Sequence, residues 1–391
     1  MNPYYFDWAA TAPMSERSLQ TYLDTARTFR GNPSALHKEG IAAAQELAKQ
    51  RKITAELLGF QDKQVYFTSG ATESNAIVLQ SLLWKRKAGR IIFSALEHDS
   101  ILQYRRLLQT YGFDVRIIGA PNGYVSLSQL QNTLTDDTQM VCIMLVNNVL
   151  GTVQDIEALA SVIREHQKRV NRVVHFHCDA VQALGKIPWN PNDLDIDSAS
   201  FSAHKFQGPK GTGILYQRNA TIDPLSRGGN QEMGVRPGTE HLAAIAAMNV
   251  ALRQIIEEHE ILLQHGMRLR RIFEEAIAPH ASLMHLLSPS IDTDHPVTPF
   301  IITCAVPGVP SEVFTRVLYD GGFCVSSGSA CSNNAPKGSD SLLTQTGFSP
   351  REASGAIRIS FGQETTEEQM HQLCDRLITE AKTMTSMIRK R

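Results

Sequence analysis

The residues best able to do chemistry stand at the ends of apolar runs. In "FSAHKFQGPKGTG" such a run closes on Ser202, His204 and Lys205 before a Gly/Pro loop, and in an open α/β sheet ligands bind at strand ends. Taken alone, Lys205 reads better as a solvated surface lysine. About one supersecondary unit upstream, "HFHCDAVQALGK" ends another apolar run on Asp179, with Gln182 in the turn that follows. A carboxylate at the end of a buried strand is costly unless a cation or several hydrogen bonds compensate it. The ordinary alternatives for Asp179 are a helix cap or a turn. Together, an amine able to form a Schiff base and a carboxylate able to pair with a pyridinium nitrogen are what a pyridoxal 5'-phosphate enzyme requires, because the protonated ring is its electron sink.

Other motifs add to this pair. "YFTSGATESNAIVL" reads as strand, small-residue turn and helix; its N–H groups at the helix start suit a phosphate, with Thr72 adding a hydroxyl, although a plain capped helix has the same signature. "SALEHDSI" places His98 at another strand end. It is a structural histidine, or an imidazole that stacks on a cofactor ring and relays protons near neutral pH. "VNN" before "GTVQ" gives Asn147, and "AIRISFG" carries Arg358 in an otherwise apolar run. Such an arginine wants a carboxylate, either a substrate's, held in a planar bidentate clamp, or one inside the protein. Cys331 lies in "CVSSGSACSNNAPKGSDS", whose Ser, Gly, Ala and Asn can bury little, whereas a structural free cysteine is normally among the most buried residues.

The elements that must position these groups are legible. Between about residues 60 and 220 the runs "QVYFT", "RIIFS", "MVCIMLV", "VVHFHCD", "DSASFSA" and "GILY" alternate with amphipathic segments. That pattern predicts an α/β domain with a mostly parallel central sheet covered on both faces. Ala243 to Ala278 is periodic at helical spacing, with Ile255, Leu262, Leu269 and Ile272 on related faces, a segment suited to bridging two domains. "VTPFIITCAV", "FCVSS", "AIRISF" and the helical "TTEEQMHQLCDRLITEAKTM" predict a smaller α+β domain.

Composition narrows the function. Lys+Arg 38 against Asp+Glu 39 leaves a net charge of −1, so nothing favours nucleic acid as a partner. The six cysteines show no CxxC pair and no zinc-type spacing, which argues against a metal site or a disulfide framework. No stretch of about 18 apolar residues suggests a membrane span. These features predict a soluble, cytoplasmic protein with a small-molecule ligand.

In order and spacing, "FTSGATESN", "EHDS", "VNNVLGT", "CDAVQALGK", "SAHKFQGPKGTG", "GGNQEMGVRPGTE", "SSGSACS" and "IRISFG", with "FDWAATAP" and "GNPSALH" near the N-terminus, resemble the cysteine desulfurases of the NifS/IscS type. These belong to the class V aminotransferase superfamily with PLP fold type I. The resemblance implies a large PLP-binding domain over 15–255 and a small domain of 1–14 and 256–391. It implies Lys205 as the Schiff-base lysine, Asp179 on the pyridine nitrogen, Gln182 on the ring hydroxyl and His98 stacked on the ring. Ala71, Thr72, Ser202 and His204 would hold the phosphate, with Thr239 reaching across from a second subunit of a homodimer. Asn147 and Arg358 would hold the substrate carboxylate, and Cys331 would be the nucleophile.

The reaction so implied turns L-cysteine into L-alanine, leaves a persulfide on Cys331 and passes the sulfur to an acceptor such as an iron-sulfur scaffold protein. The residues Ser332 to Ser341 would form a flexible tether. The chain departs from the family pattern at Val149, Asn230, Pro237 and Gln363. A selenocysteine lyase, another class V lyase or transaminase, and a non-catalytic scaffold paralogue stand as alternatives.

Overall fold

The computed structural model describes residues 4–191, 194–219, 222–328 and 342–389. Its larger sheet has seven strands: β1 (Val65–Thr68), β2 (Arg90–Ser94), β3 (Asp114–Ile118), β4 (Thr138–Cys142), β5 (His175–Asp179), β6 (Ser198–Ser202) and β7 (Gly213–Gln217), in spatial order β1-β7-β6-β5-β4-β2-β3. β7 runs antiparallel to both neighbours, while β6, β5, β4, β2 and β3 pair in parallel. Every residue of β1, β6 and β7 is buried, as continuous apolar runs covered on both faces should be. β3 is one of the two edge strands and escapes an apolar-run reading, because its Asp114 and Arg116 pair with each other at 2.7 Å at the sheet margin.

The smaller sheet, order β10-β11-β9-β8, comprises β8 (His285–Leu286), β9 (Ile301–Ala305), β10 (Ser326–Ser327) and β11 (Ala356–Ser360), all antiparallel. Helices His259–Ile277 and Glu367–Arg389 pack together, and their Leu269, Phe273, Leu373 and Leu377 share one apolar cluster with Ile357 and Ile359 of β11. The same cluster continues into Phe67, Val141, Phe176 and Phe201 of the larger sheet.

The periodic stretch Ala243–Ala278 is two helices, Leu242–Glu257 and His259–Ile277, broken at Glu258 (φ −95°, ψ 9°). A single non-helical residue leaves the apolar stripe nearly in phase, so periodicity alone does not report the break. The first helix packs on Glu16–Thr28 and Lys38–Leu58. The N-terminal segment crosses between the sheets: Phe6 is fully buried, its N–H donates to the Cys324 carbonyl at 2.8 Å, and its carbonyl accepts from Ser360 N–H at 2.9 Å.

Among the described residues no helix is long and apolar enough to cross a membrane, and no group of three His, Cys, Asp or Glu could hold a metal ion.

Candidate active site

A cavity of about 700 Å³ opens at the carboxyl ends of β2, β5 and β6 and is bordered by β10 and β11 of the smaller sheet. Ala71, Thr72, His98, Asp179, Gln182, Ser202, His204, Lys205 and Arg358 all line it. For the residues of the larger sheet this convergence follows from topology, since parallel strands end on the same edge and residues distant in sequence meet in one crevice; Arg358 comes from β11 of the smaller sheet.

Lys205 closes a single 3₁₀ turn directly after β6. Its Nζ donates to the carbonyls of Ala9 and Ala10 at 2.7 and 2.8 Å. Asp179 is the last residue of β5 and is buried. Oδ1 accepts from Val181 N–H and Oδ2 from Asn75 Nδ2, each at 3.1 Å. Burial raises the carboxyl above its ordinary value, while His98, the Val181 N–H, Asn75 and Lys205 pull the other way. A cation placed against such a carboxylate is held strongly, and a protonated pyridine nitrogen is one.

A hydrogen-bonded chain behind Asp179 fixes several proton positions. A carboxylate only accepts, so Asn75 presents its amide N–H₂ there and its Oδ1 to His177 Nε2, 2.9 Å away. Burial pushes His177 down to about 3, so the neutral ring carries its single proton on Nε2, and Nδ1 accepts from Ser198 Oγ at 2.7 Å. The second Asn75 N–H reaches Ser100 Oγ at 2.8 Å, and Ser100 Oγ lies 2.9 Å from His98 Nδ1. His98 caps the short helix Asp99–Leu102 by accepting Ser100 N–H on Nδ1 at 3.1 Å. Nδ1 is therefore unprotonated, and in the neutral ring Nε2 bears the proton.

The turn after β1 leads into the helix Ala71–Gln80, with Gly70 at φ 150° as its N-cap residue. Ser202 and His204 line the same cavity, and a Cβ built at Gly70 would lie 3.5 Å from Ser202 Oγ. Burial, then the charges of Lys205, Lys210 and Lys186, push His204 down to about 4, and its Nδ1 lies 3.1 Å from Thr11 Oγ1. Gly213 of β7 backs the turn so tightly that a Cβ there would lie 2.6 Å from Gly70 Cα.

Arg358 is buried on β11. It donates through Nη1 to the Asn148 carbonyl at 3.1 Å and through Nη2 to Asp7 Oδ1 at 2.8 Å. The assignment of Asn147 to the substrate carboxylate is corrected. Asn147 is fully buried outside the cavity, its Oδ1 accepting Val149 and Leu150 N–H at 3.0 and 2.7 Å and its Nδ2 donating to Leu96 O at 3.3 Å. Asn148 is the one that lines the cavity. Thr239 is exposed and does not line the cavity of its own chain. Cys331 and the tether Ser332 to Ser341 lie outside the described residues. The preceding strand β10 puts Ser326 in the cavity wall.

The donor set fits pyridoxal phosphate. Gln182 is buried, its Nε2 donating to Ala9 O at 2.9 Å, and its Oε1 has no hydrogen-bond partner, which marks a polar group in the wall awaiting one. A carboxylate with oriented donors, an amine, and a glycine-flanked helix start with hydroxyls nearby complete the set.

Comparison with known proteins agrees. The aminotransferase class-V family model matches residues 4–373. A protein of Lactobacillus delbrueckii subsp. bulgaricus described as a NifS/IcsS protein homolog is 37% identical, covering 93% of this chain and 94% of its own. A putative cysteine desulfurase IscS 1 of Bacillus subtilis is 34% identical over 95% and 96%. The solved structure of a NifS-like protein superposes with a TM-score of 0.87 at 32% identity, covering 95% of this chain and 97% of that one. The chain belongs to the aminotransferase class-V family, in its branch of NifS/IscS-type cysteine desulfurases.

Proposed function

We propose that the protein is a pyridoxal phosphate-dependent cysteine desulfurase that converts L-cysteine to L-alanine and carries the released sulfur as a persulfide on Cys331. The observation that carries this reading is the meeting of Lys205, Asp179, His98 and Arg358 in one cavity bordered by the strand that leads toward Cys331. Bound with its ring nitrogen at Asp179 and its phosphate at Ala71, Thr72, Ser202 and His204, the cofactor supplies the electron sink for bond breaking at the substrate's α- and β-carbons.

The chain's own residues do the rest. Arg358, with Asn148 beside it, holds the substrate carboxylate and so orients the Cα–H bond. Lys205 Nζ takes up and returns the proton at Cα. His98, whose Nδ1 is occupied by the Ser100 N–H, moves protons through Nε2. The Cys331 thiolate bonds to the substrate sulfur as the Cβ–S bond breaks; that bond's electron pair remains with carbon, which is protonated on the way to alanine.

The same reading keeps 15–255 as the cofactor domain and 1–14 with 256–391 as the small domain, supported by the two separate sheets. It also keeps a cytoplasmic homodimer in which Thr239 serves the partner's phosphate, and a sulfur-acceptor protein as the receiving partner. The test is to supply the cofactor-loaded protein with L-cysteine and a thiol reductant and to quantify products. Alanine and sulfide in equal amounts are expected. Their absence from fully loaded protein rejects the reading, and turnover of selenocysteine alone would select the lyase alternative.

A further inference from the structure

Asp7 lies in the cavity wall beside Arg358 and already occupies part of it. Arg358 Nη2 donates to Asp7 Oδ1 at 2.8 Å, Nη1 donates to the Asn148 carbonyl, and Nε is buried without a hydrogen-bond partner. A guanidinium has five N–H donors in a planar fork, so this one keeps capacity for a second carboxylate while neutralising the first. Asp7 is not free to drift. Its carbonyl accepts from Ala10 N–H at 3.0 Å, Thr11 N–H at 3.3 Å and Tyr5 Oη at 3.2 Å, and it bridges in parallel to Ser360, two residues along β11 from Arg358. The Arg358 side chain is 5% exposed and that of Asp7 23%, so the pair sits where screening by water is incomplete.

We propose that Asp7 is a specificity-determining residue of the carboxylate pocket, one that shares Arg358 with the ligand and thereby weakens the hold on a ligand carboxylate. The inference rests on the reading of Arg358 as the carboxylate clamp. A ligand carboxylate entering beside Asp7 meets a standing like charge, which disfavours it. Neutralising Asp7 while keeping an acceptor for Nη2 therefore strengthens carboxylate binding and leaves an amine without a carboxylate unaffected.

The test uses cofactor-loaded Asp7→Asn, and Asp7→Ser as a second variant, each matched to the parent in cofactor content and thermal unfolding. Binding of L-alanine, and of ethylamine as its analogue without the carboxylate, is followed by the visible absorbance of the cofactor. L-Alanine is expected to bind about tenfold tighter to Asp7→Asn, the order produced by removing a partly screened like charge a few ångströms away, with ethylamine unchanged. Unchanged or weaker L-alanine binding in both variants, or an equal gain for ethylamine, overturns the proposal. Arg358→Gln separates the two readings. If it binds L-alanine like the parent, the Arg358 clamp itself is wrong; if it loses L-alanine while Asp7→Asn gains nothing, only the role of Asp7 fails.

Discussion

Asn75 joins His177 to Asp179: its Nδ2 donates to Asp179 Oδ2 at 3.1 Å, and its Oδ1 faces His177 Nε2 at 2.9 Å. The helix that opens at the turn proposed to hold the phosphate thus also orients the carboxylate proposed for the other end of the cofactor. Asn75→Leu would leave the His177 N–H with only a 3.5 Å approach to Ser200 Oγ and Asp179 without one donor, at a cost of about 1–3 kcal/mol in stability. Weaker cofactor binding, by about tenfold, is expected in an absorbance titration. A variant with parental cofactor affinity would show that Asn75 does not support Asp179.

Lys205→Ala should remove the absorbance band of lysine-bound cofactor and reduce turnover by about a thousandfold, a magnitude typical of losing a proton-transfer group. Its fold should persist, because Nζ donates to the Ala9 and Ala10 carbonyls of the cavity wall and not to the apolar core. Circular dichroism and visible spectra of one preparation check both statements.

Glu97 gives a pH dependence of known sign. Burial pushes its carboxyl up to about 8, although Ser94 Oγ and Met144 N–H both donate to Oε1, at 2.5 and 2.7 Å. Between the ordinary carboxylate range and about pH 8, the folded chain keeps this proton while the unfolded chain has lost it. Glu97 therefore makes stability fall as pH rises through that window, and the fall levels off above it. Glu97→Gln keeps an acceptor for both donors and removes the titration. Its melting temperature relative to the parent should rise steadily from about pH 5 to about pH 8. A constant difference across that range would contradict the assignment.

Gly213→Ala tests the backing of the turn proposed to hold the phosphate. The new Cβ would lie 2.6 Å from both Gly70 Cα and the Phe201 carbonyl oxygen, atoms with no side-chain freedom to yield. Destabilisation of about 1–3 kcal/mol is expected from such overpacking, together with weaker cofactor binding. Thermal melts with and without cofactor separate the two effects.

The sequence shows most clearly what depends on local pattern. Strands buried over all or nearly all of their length, such as β2, β4, β5 and β6, read as apolar runs, and Asp179, Lys205 and His98 stand out because ionisable residues at the ends of such runs need partners. Position within an Asn-Asn pair is harder. Asn147 and Asn148 are chemically identical, and only the turn that draws Val149 and Leu150 N–H onto Asn147 Oδ1 decides which one faces the cavity. Asn75 and His177 act through bonds spanning 102 and 104 residues, and Asp7 meets Arg358 across 351. No periodicity encodes such contacts, although "FDWAATAP" and "TESN" already contained two of the residues.

The most direct test of the central claim is the mass of Cys331 after turnover. Cofactor-loaded protein, treated with an equimolar amount of L-cysteine without reductant and analysed by intact and peptide mass spectrometry, should gain one sulfur atom on Cys331 and release alanine; Cys331→Ser should bind the substrate yet gain none. Alanine release with no sulfur on Cys331, or sulfur carried equally well by Cys331→Ser, would contradict it.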